Sequence, residues 1–196
     1  MSDTTKQLMD YIEAAKATAQ PEAYDYSYLI PGLLGEVGEV YGHIAKNQWH
    51  GWSEEKFETE LVAEYGDICW MTAILMDHRF EMDTYDLESE DAPTEFAPFI
   101  GMQVIGERVT KLVEALDWEA EAEEVVQDSP YNNDALVRLE SLANHTDEML
   151  VKLWAYLVVY APVVTGHPIQ KSLDYNAEKL ASRKARGVLR GAGDHR

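Results

Sequence analysis

The stretch Gly32-Leu33-Leu34-Gly35-Glu36-Val37-Gly38-Glu39-Val40-Tyr41-Gly42-His43-Ile44 decides the fold, because its apolar side chains repeat at helical rather than strand spacing. With 100° per residue and Val37 at zero, Leu33, Val40, Tyr41 and Ile44 fall within roughly 60° of it and form a core stripe. Glu36 lies about 100° away and Glu39 about 160° away, and three residues apart they are neighbours on one side of the helix. Gly32, Gly35, Gly38 and Gly42 occupy the side opposite the stripe. Each interior glycine costs about 0.5 to 1 kcal/mol relative to alanine, so four remove about 2 to 4 kcal/mol from this helix. That cost implies a close approach to the glycine face, either by another helix in a small-residue groove or by a ligand against the backbone.

Outward from this stretch, the spacing predicts a helix over about 27–46, then a short loop over Asn47–Trp52. A third helix follows to about residue 79, with Ser53 as N-cap and Glu54 and Glu55 in a first turn that favours negative charge. With Leu61 at zero, Phe57, Tyr65, Ile68, Thr72 and Leu75 cluster within about 40°, while Glu60, Glu64 and Asp67 fall together roughly 60° to 120° to one side. Alone, such an acidic strip reads as a solvated helix edge. Two strips on consecutive helices joined by a short loop face each other when the helices pack antiparallel. The four carboxylates Glu36, Glu39, Glu64 and Asp67 then repel one another unless cations neutralise them, and Mg²⁺ suits an all-oxygen set completed by water and substrate phosphate. Zinc is disfavoured: Cys69 has no partner cysteine at ligand spacing, and the six histidines form no His-x-x-x-His pair.

The remainder also reads all-α, without a period-two strand. A first helix spans about 4–18 with Leu8, Ile12 and Ala15 on one face. Residues 81–98 form an acidic, Pro-containing connection, helices follow over about 98–127 and 133–160, and Pro162, Gly166 and Pro168 mark a break before a last helix over about 169–186. This describes one all-α domain over 1–196 with a helical insertion at about 81–160 and a glycine-bearing basic tail over 187–196. The chain carries 46% apolar residues and a net charge of −20, which disfavours a nucleic-acid partner. A lone Cys69 in an apolar helical run excludes an internal disulfide framework and fits a buried thiol in a reducing cytosol. No uninterrupted apolar stretch approaches the roughly 18–20 residues of a membrane span, so the expected location is cytoplasmic with no membrane partner. Six of the 16 Lys and Arg lie within the last 18 residues: Lys179, Arg183, Lys184, Arg186, Arg190 and Arg196.

The segment from Gly32 to Val40, with Glu64-Tyr65-Gly66-Asp67-Ile68-Cys69-Trp70 following it, resembles the paired Glu-x-x-Glu and Glu-x-x-Asp signature of MazG-like all-α nucleoside triphosphate pyrophosphohydrolases. Asn176-Ala177-Glu178-Lys179-Leu180-Ala181-Ser182-Arg183 resembles that family's Asn-x-x-Lys-Leu-x-x-Arg helix, and residues 186–196 are similar to the tail of phage-encoded members. The likeness covers 27–80 and 166–196. Short members pass almost directly between the two motifs, whereas some 80 residues intervene here, and Thr146–Trp154 is similar to a degraded second copy of the acidic helix. The resemblance implies that Glu36, Glu39, Glu64 and Asp67 bind Mg²⁺, with Mn²⁺ able to substitute. It also implies that Lys179 and Arg183 contact phosphate and that Asn176 shapes the nucleotide pocket.

On this reading water attacks the α-phosphorus of a nucleoside triphosphate, with Glu36 or Glu60 as the proton acceptor. Lys46, Lys179, Arg183 and Arg186 neutralise phosphate charge, and the tail to Arg196 folds over the substrate. Trp49 and Trp52 either stack on a base or pack against the bundle. A small bundle whose sites need extra walls is expected to be a homodimer or homotetramer. Two alternatives stand beside this: a dimeric dUTPase-like hydrolase, and a non-catalytic acidic helical interaction protein. The first substrate to assay is dGTP.

Overall fold

The computed structural model describes residues 3–79 and 96–188, and every regular element among them is helical. In chain order these are α1 (Asp3–Lys16), a 3-10 turn (Pro21–Tyr24), α2 (Tyr26–His50), α3 (Glu54–Arg79), α4 (Pro98–Asp128), α5 (Asn133–Thr165) and α6 (Ile169–Ala185). The all-α fold expected from the sequence is the fold observed.

Three residues join α2 to α3, so these helices form an antiparallel hairpin; α4 and α5 form a second one. The two hairpins pack side by side, α4 against α2 and α5 against α3, while α1 and α6 cover the remaining flank of α3. Central α3 is therefore apolar on several sides, burying Leu61, Tyr65, Ile68, Cys69 and the whole run Met71–Met76. The same core takes in Leu29, Leu33 and Val40 from α2, Ile105, Val109 and Leu112 from α4, and Leu150, Leu153, Trp154 and Leu157 from α5. The Tyr65 hydroxyl donates to the Leu157 carbonyl at 2.7 Å, and burial pushes the Cys69 thiol up, away from reactivity. Arg79 ties the second hairpin to α3, its Nε on Asp147 at 2.7 Å and its Nη2 on Glu119 at 3.1 Å.

Side-chain and glycine caps set the helix ends. Asp25 accepts from the Ser27 amide at the start of α2, Asn132 accepts from the Asp134 and Ala135 amides at the start of α5, and the Lys56 amide reaches Ser53 Oγ at 3.3 Å. The loop expected over Asn47–Trp52 is corrected: α2 continues through His50 and stops at Gly51, whose φ of 57° makes the left-handed turn that returns its amide to Asn47. The break expected at Pro162 is corrected too. Pro162 withholds its amide from the ladder and crowds the carbonyl one turn back, yet α5 runs on to Thr165 before Gly166, at φ 76°, ends it. The acidic connection at 81–98 lies outside the described residues except for 96–98, and of the tail only Gly187 and Val188 are described.

Of the glycine face on α2, a Cβ at Gly32 would meet Met71 Cε at 2.8 Å, so α3 packs closely there. At Gly35, Gly38 and Gly42 nothing described comes within 4 Å of such a Cβ. Among the described helices, α5 is long and apolar enough to cross a membrane by composition, with an 18-residue mean hydropathy of 1.4. Half of that window is buried, against a core that the other helices complete.

Candidate metal centre

The α2–α3 hairpin puts the two acidic strips face to face. One carboxylate oxygen from each of Glu36, Glu64 and Asp67 lies within 4.8 Å of the others, and the same holds for donor atoms of Glu39, His43 and Glu64. All four carboxylates singled out in the sequence thus meet, with Glu64 common to both groups. Glu60 stands one turn before Glu64, half-buried, its Oε2 3.8 Å from His43 Nδ1.

The electrostatics follow from this crowding. Burial, then the charges of Asp67, Glu39 and Glu64, push the Glu36 carboxyl from 4.5 to about 8 against the pull of Lys179. Burial, then Asp67 and Glu39, push Glu64 to about 7, again against Lys179. Burial raises Asp67 as well, while Lys179 and Arg183 oppose it. One ammonium and one guanidinium leave this negative charge incompletely balanced, and a hard divalent ion fits such an oxygen donor set.

On the α6 side, Asp67 is held by three contacts. Asn176 Nδ2 donates to its Oδ1 at 2.5 Å, and Lys179 Nζ reaches Oδ1 at 2.8 Å and Oδ2 at 2.5 Å. The Asn176 oxygen in turn accepts from the Tyr11 hydroxyl of α1 at 3.0 Å. Gly66 makes this possible: a Cβ there would lie 2.7 Å from the Ser172 carbonyl and 2.9 Å from Asn176 Cβ. With no side chain at 66, α6 comes close enough for Asn176 to reach Asp67. Fully buried, Asn176 therefore stands behind Asp67, where it orients a carboxylate instead of lining open space.

The other expected contacts are spread out. Arg183 is half-buried within electrostatic reach of Asp67, whereas Arg186 is exposed and donates to the Ser182 carbonyl. Lys46 and Trp49 are exposed on the last turns of α2, Trp49 at 85%. Trp52 takes the packed alternative: its ring lies 5.6 Å from that of His43, with Lys56 Nζ 4.1 Å above it. Arg196 lies outside the described residues.

Three participants escaped the sequence reading. His43 is 6% exposed, with Nε2 3.4 Å from Glu64 Oε1, and its signal was its place four residues after Glu39 on the same helical face. Tyr11 supports Asn176 from a helix whose apolar pattern gave no hint of polar duty. Tyr28 is half-exposed, and its phenol is raised by burial and then by the charges of Glu36 and Asp67.

A groove of about 460 Å³ lies between α1 and α6, lined in part by Lys6, Asp10, Tyr11 and Asp174. It contains none of the four carboxylates and mixes both signs of charge, so the clustered donors define the chemistry better than the cavity does. No protein-family model, no curated protein and no solved structure matches this chain.

Proposed function

We propose that the chain is a Mg²⁺-dependent nucleoside triphosphate pyrophosphohydrolase, converting a (d)NTP to the (d)NMP and pyrophosphate. The observation that carries this reading is the convergence of Glu36, Glu39, Glu64 and Asp67 from two consecutive helices, beside a cationic edge of Lys179 and Arg183. These carboxylates would hold Mg²⁺, which would neutralise phosphate charge and make water more acidic.

The chain's own groups then do the rest. Lys179, paired with Asp67, is the cation placed at this edge to meet a phosphate oxygen. Asn176 and Tyr11 keep Asp67 oriented. Glu60 lies 3.8 Å from His43 and within electrostatic reach of Glu64 without belonging to either donor group, which favours it over Glu36 as acceptor of the water proton. With that proton on Glu60, a bond forms between the attacking water's oxygen and the α-phosphorus, the α–β anhydride bond breaks, and its electron pair leaves with pyrophosphate. Tyr28, half-exposed and within electrostatic reach of Glu36 and Asp67, offers a ring for base or ribose contact.

The test is a panel of the common NTPs and dNTPs, dGTP and dUTP included, with and without Mg²⁺ and with products identified. Monophosphate plus pyrophosphate, dependent on Mg²⁺, is the expected result. Stepwise release of orthophosphate overturns the cleavage position. Binding of Mg²⁺ with no hydrolysis of any triphosphate returns the chain to the non-catalytic alternative.

A further inference from the structure

His43 brings nitrogen to a cluster otherwise made of oxygen. It sits one helical turn after Glu39, is 6% exposed, and is flanked by the Trp52 ring at 5.6 Å. Its Nε2 lies 3.4 Å from Glu64 Oε1, and donor atoms of Glu39, His43 and Glu64 all fall within 4.8 Å of one another. Donors around one six-coordinate ion at about 2.1 Å stand about 3.0 Å apart when adjacent and about 4.2 Å when opposite. The measured His43–Glu64 separation of 3.4 Å falls between those two values, and the whole group stays within 4.8 Å. The two donor groups also differ in kind. Glu36, Glu64 and Asp67 offer only carboxylate oxygen, the preference of Mg²⁺, whereas an imidazole favours first-row transition ions.

We propose that Glu39, His43 and Glu64 form a mixed nitrogen–oxygen cation subsite that selects a transition ion such as Mn²⁺ or Co²⁺ over Mg²⁺ and shares Glu64 with the all-oxygen subsite. It rests on reading the cluster as a cation site, and it adds the identity of one ion and the ligand that chooses it. The rival role for His43 is that of a buried imidazolium balancing Glu60 and Glu64, in which no metal–nitrogen bond forms.

The experiment uses the full chain, stripped with chelator and loaded with Mn²⁺, and reads directly coordinated nitrogen by pulsed EPR. A ¹⁴N coupling is expected that converts to the ¹⁵N pattern on histidine labelling, disappears in His43→Gln, and persists in His78→Gln. Calorimetry should show Co²⁺ affinity falling on the order of tenfold or more in His43→Gln, with Mg²⁺ affinity changing less than about threefold. If His43→Gln does not fold, the isotope exchange in the unaltered chain still tests for a histidine nitrogen on the ion, and its absence overturns the subsite. Bound Mn²⁺ without nitrogen coupling overturns the mixed subsite and leaves the proposed function standing. Failure of the chain to bind either Mn²⁺ or Mg²⁺ overturns both.

Discussion

Asn176 on α6 donates its side-chain amide to Asp67 on α3 at 2.5 Å, and the two meet because Gly66 leaves the helices nothing to stand apart on. Gly66→Ala forces a methyl against the Ser172 carbonyl, a backbone atom that cannot rotate away. Overpacking of this kind costs about 1 to 3 kcal/mol, visible as a lower midpoint in urea unfolding. Loss of Asp67 orientation should weaken Mg²⁺ binding by calorimetry as well. Unchanged stability together with unchanged binding means that the α3–α6 contact does not organise the site.

The metal-free chain should lose stability as pH rises from about 5 to about 8.5. Unfolded Glu titrates near 4.5, whereas Glu36 and Glu64 in the folded chain hold their protons up to about 8 and about 7. Across that window the native state binds more protons than the unfolded one, so their contribution is full at low pH and lost through the folded values. Added Mg²⁺ should restore Tm more at pH 8.5 than at pH 6, because protons no longer compete for the carboxylates. Thermal melts with chelator or with Mg²⁺ check both statements. A metal effect independent of pH in this range separates the ion from Glu36 and Glu64.

Glu39→Ala removes a carboxylate from an exposed helical position and puts the best helix former in its place. Helix content by circular dichroism should hold. Ion affinity should fall on the order of ten- to hundredfold, taking Mg²⁺-dependent pyrophosphate release with it. Full turnover in this variant moves the metal centre elsewhere.

Arg79→Met tests the opposite kind of residue. The guanidinium is bound by Glu119 and Asp147, with side chains 10%, 11% and 19% exposed, so its loss strands two acids largely out of water. Breaking such a pair from one side costs about 3 to 5 kcal/mol. Denaturant unfolding should register that loss while the ion stoichiometry of the folded fraction stays the same. An unaltered midpoint removes Arg79 as the tie between α3 and the second hairpin.

The carboxylate pairs were legible because three-residue spacing on a 3.6-residue helix fixes which side chains share a face, and a short connection fixes which faces meet. His43 obeys the same arithmetic, but a search for paired histidines passes over a Glu-x-x-x-His. The end of α2 was misplaced because Asn47 and the tryptophans drew attention before Gly51, the residue whose left-handed backbone stops the helix. Asn176 and Lys179 were found through a motif, yet their attachment to Asp67 lies 109 and 112 residues away in the chain, and no local pattern encodes it. The same holds for Arg79, which meets acids from α4 and α5 only after both hairpins have closed.

Tyr11 gives the first helix an unexpected stake in the acidic cluster built by the second and third. A shortened chain beginning after residue 20 keeps every proposed ligand and proton acceptor, yet strips Asn176 of the hydroxyl that anchors its oxygen. Fusion tags or trimming at the amino end therefore act on the same linkage as a change at Asn176, and any weakened ion binding in such preparations is to be traced through Asn176 to Asp67.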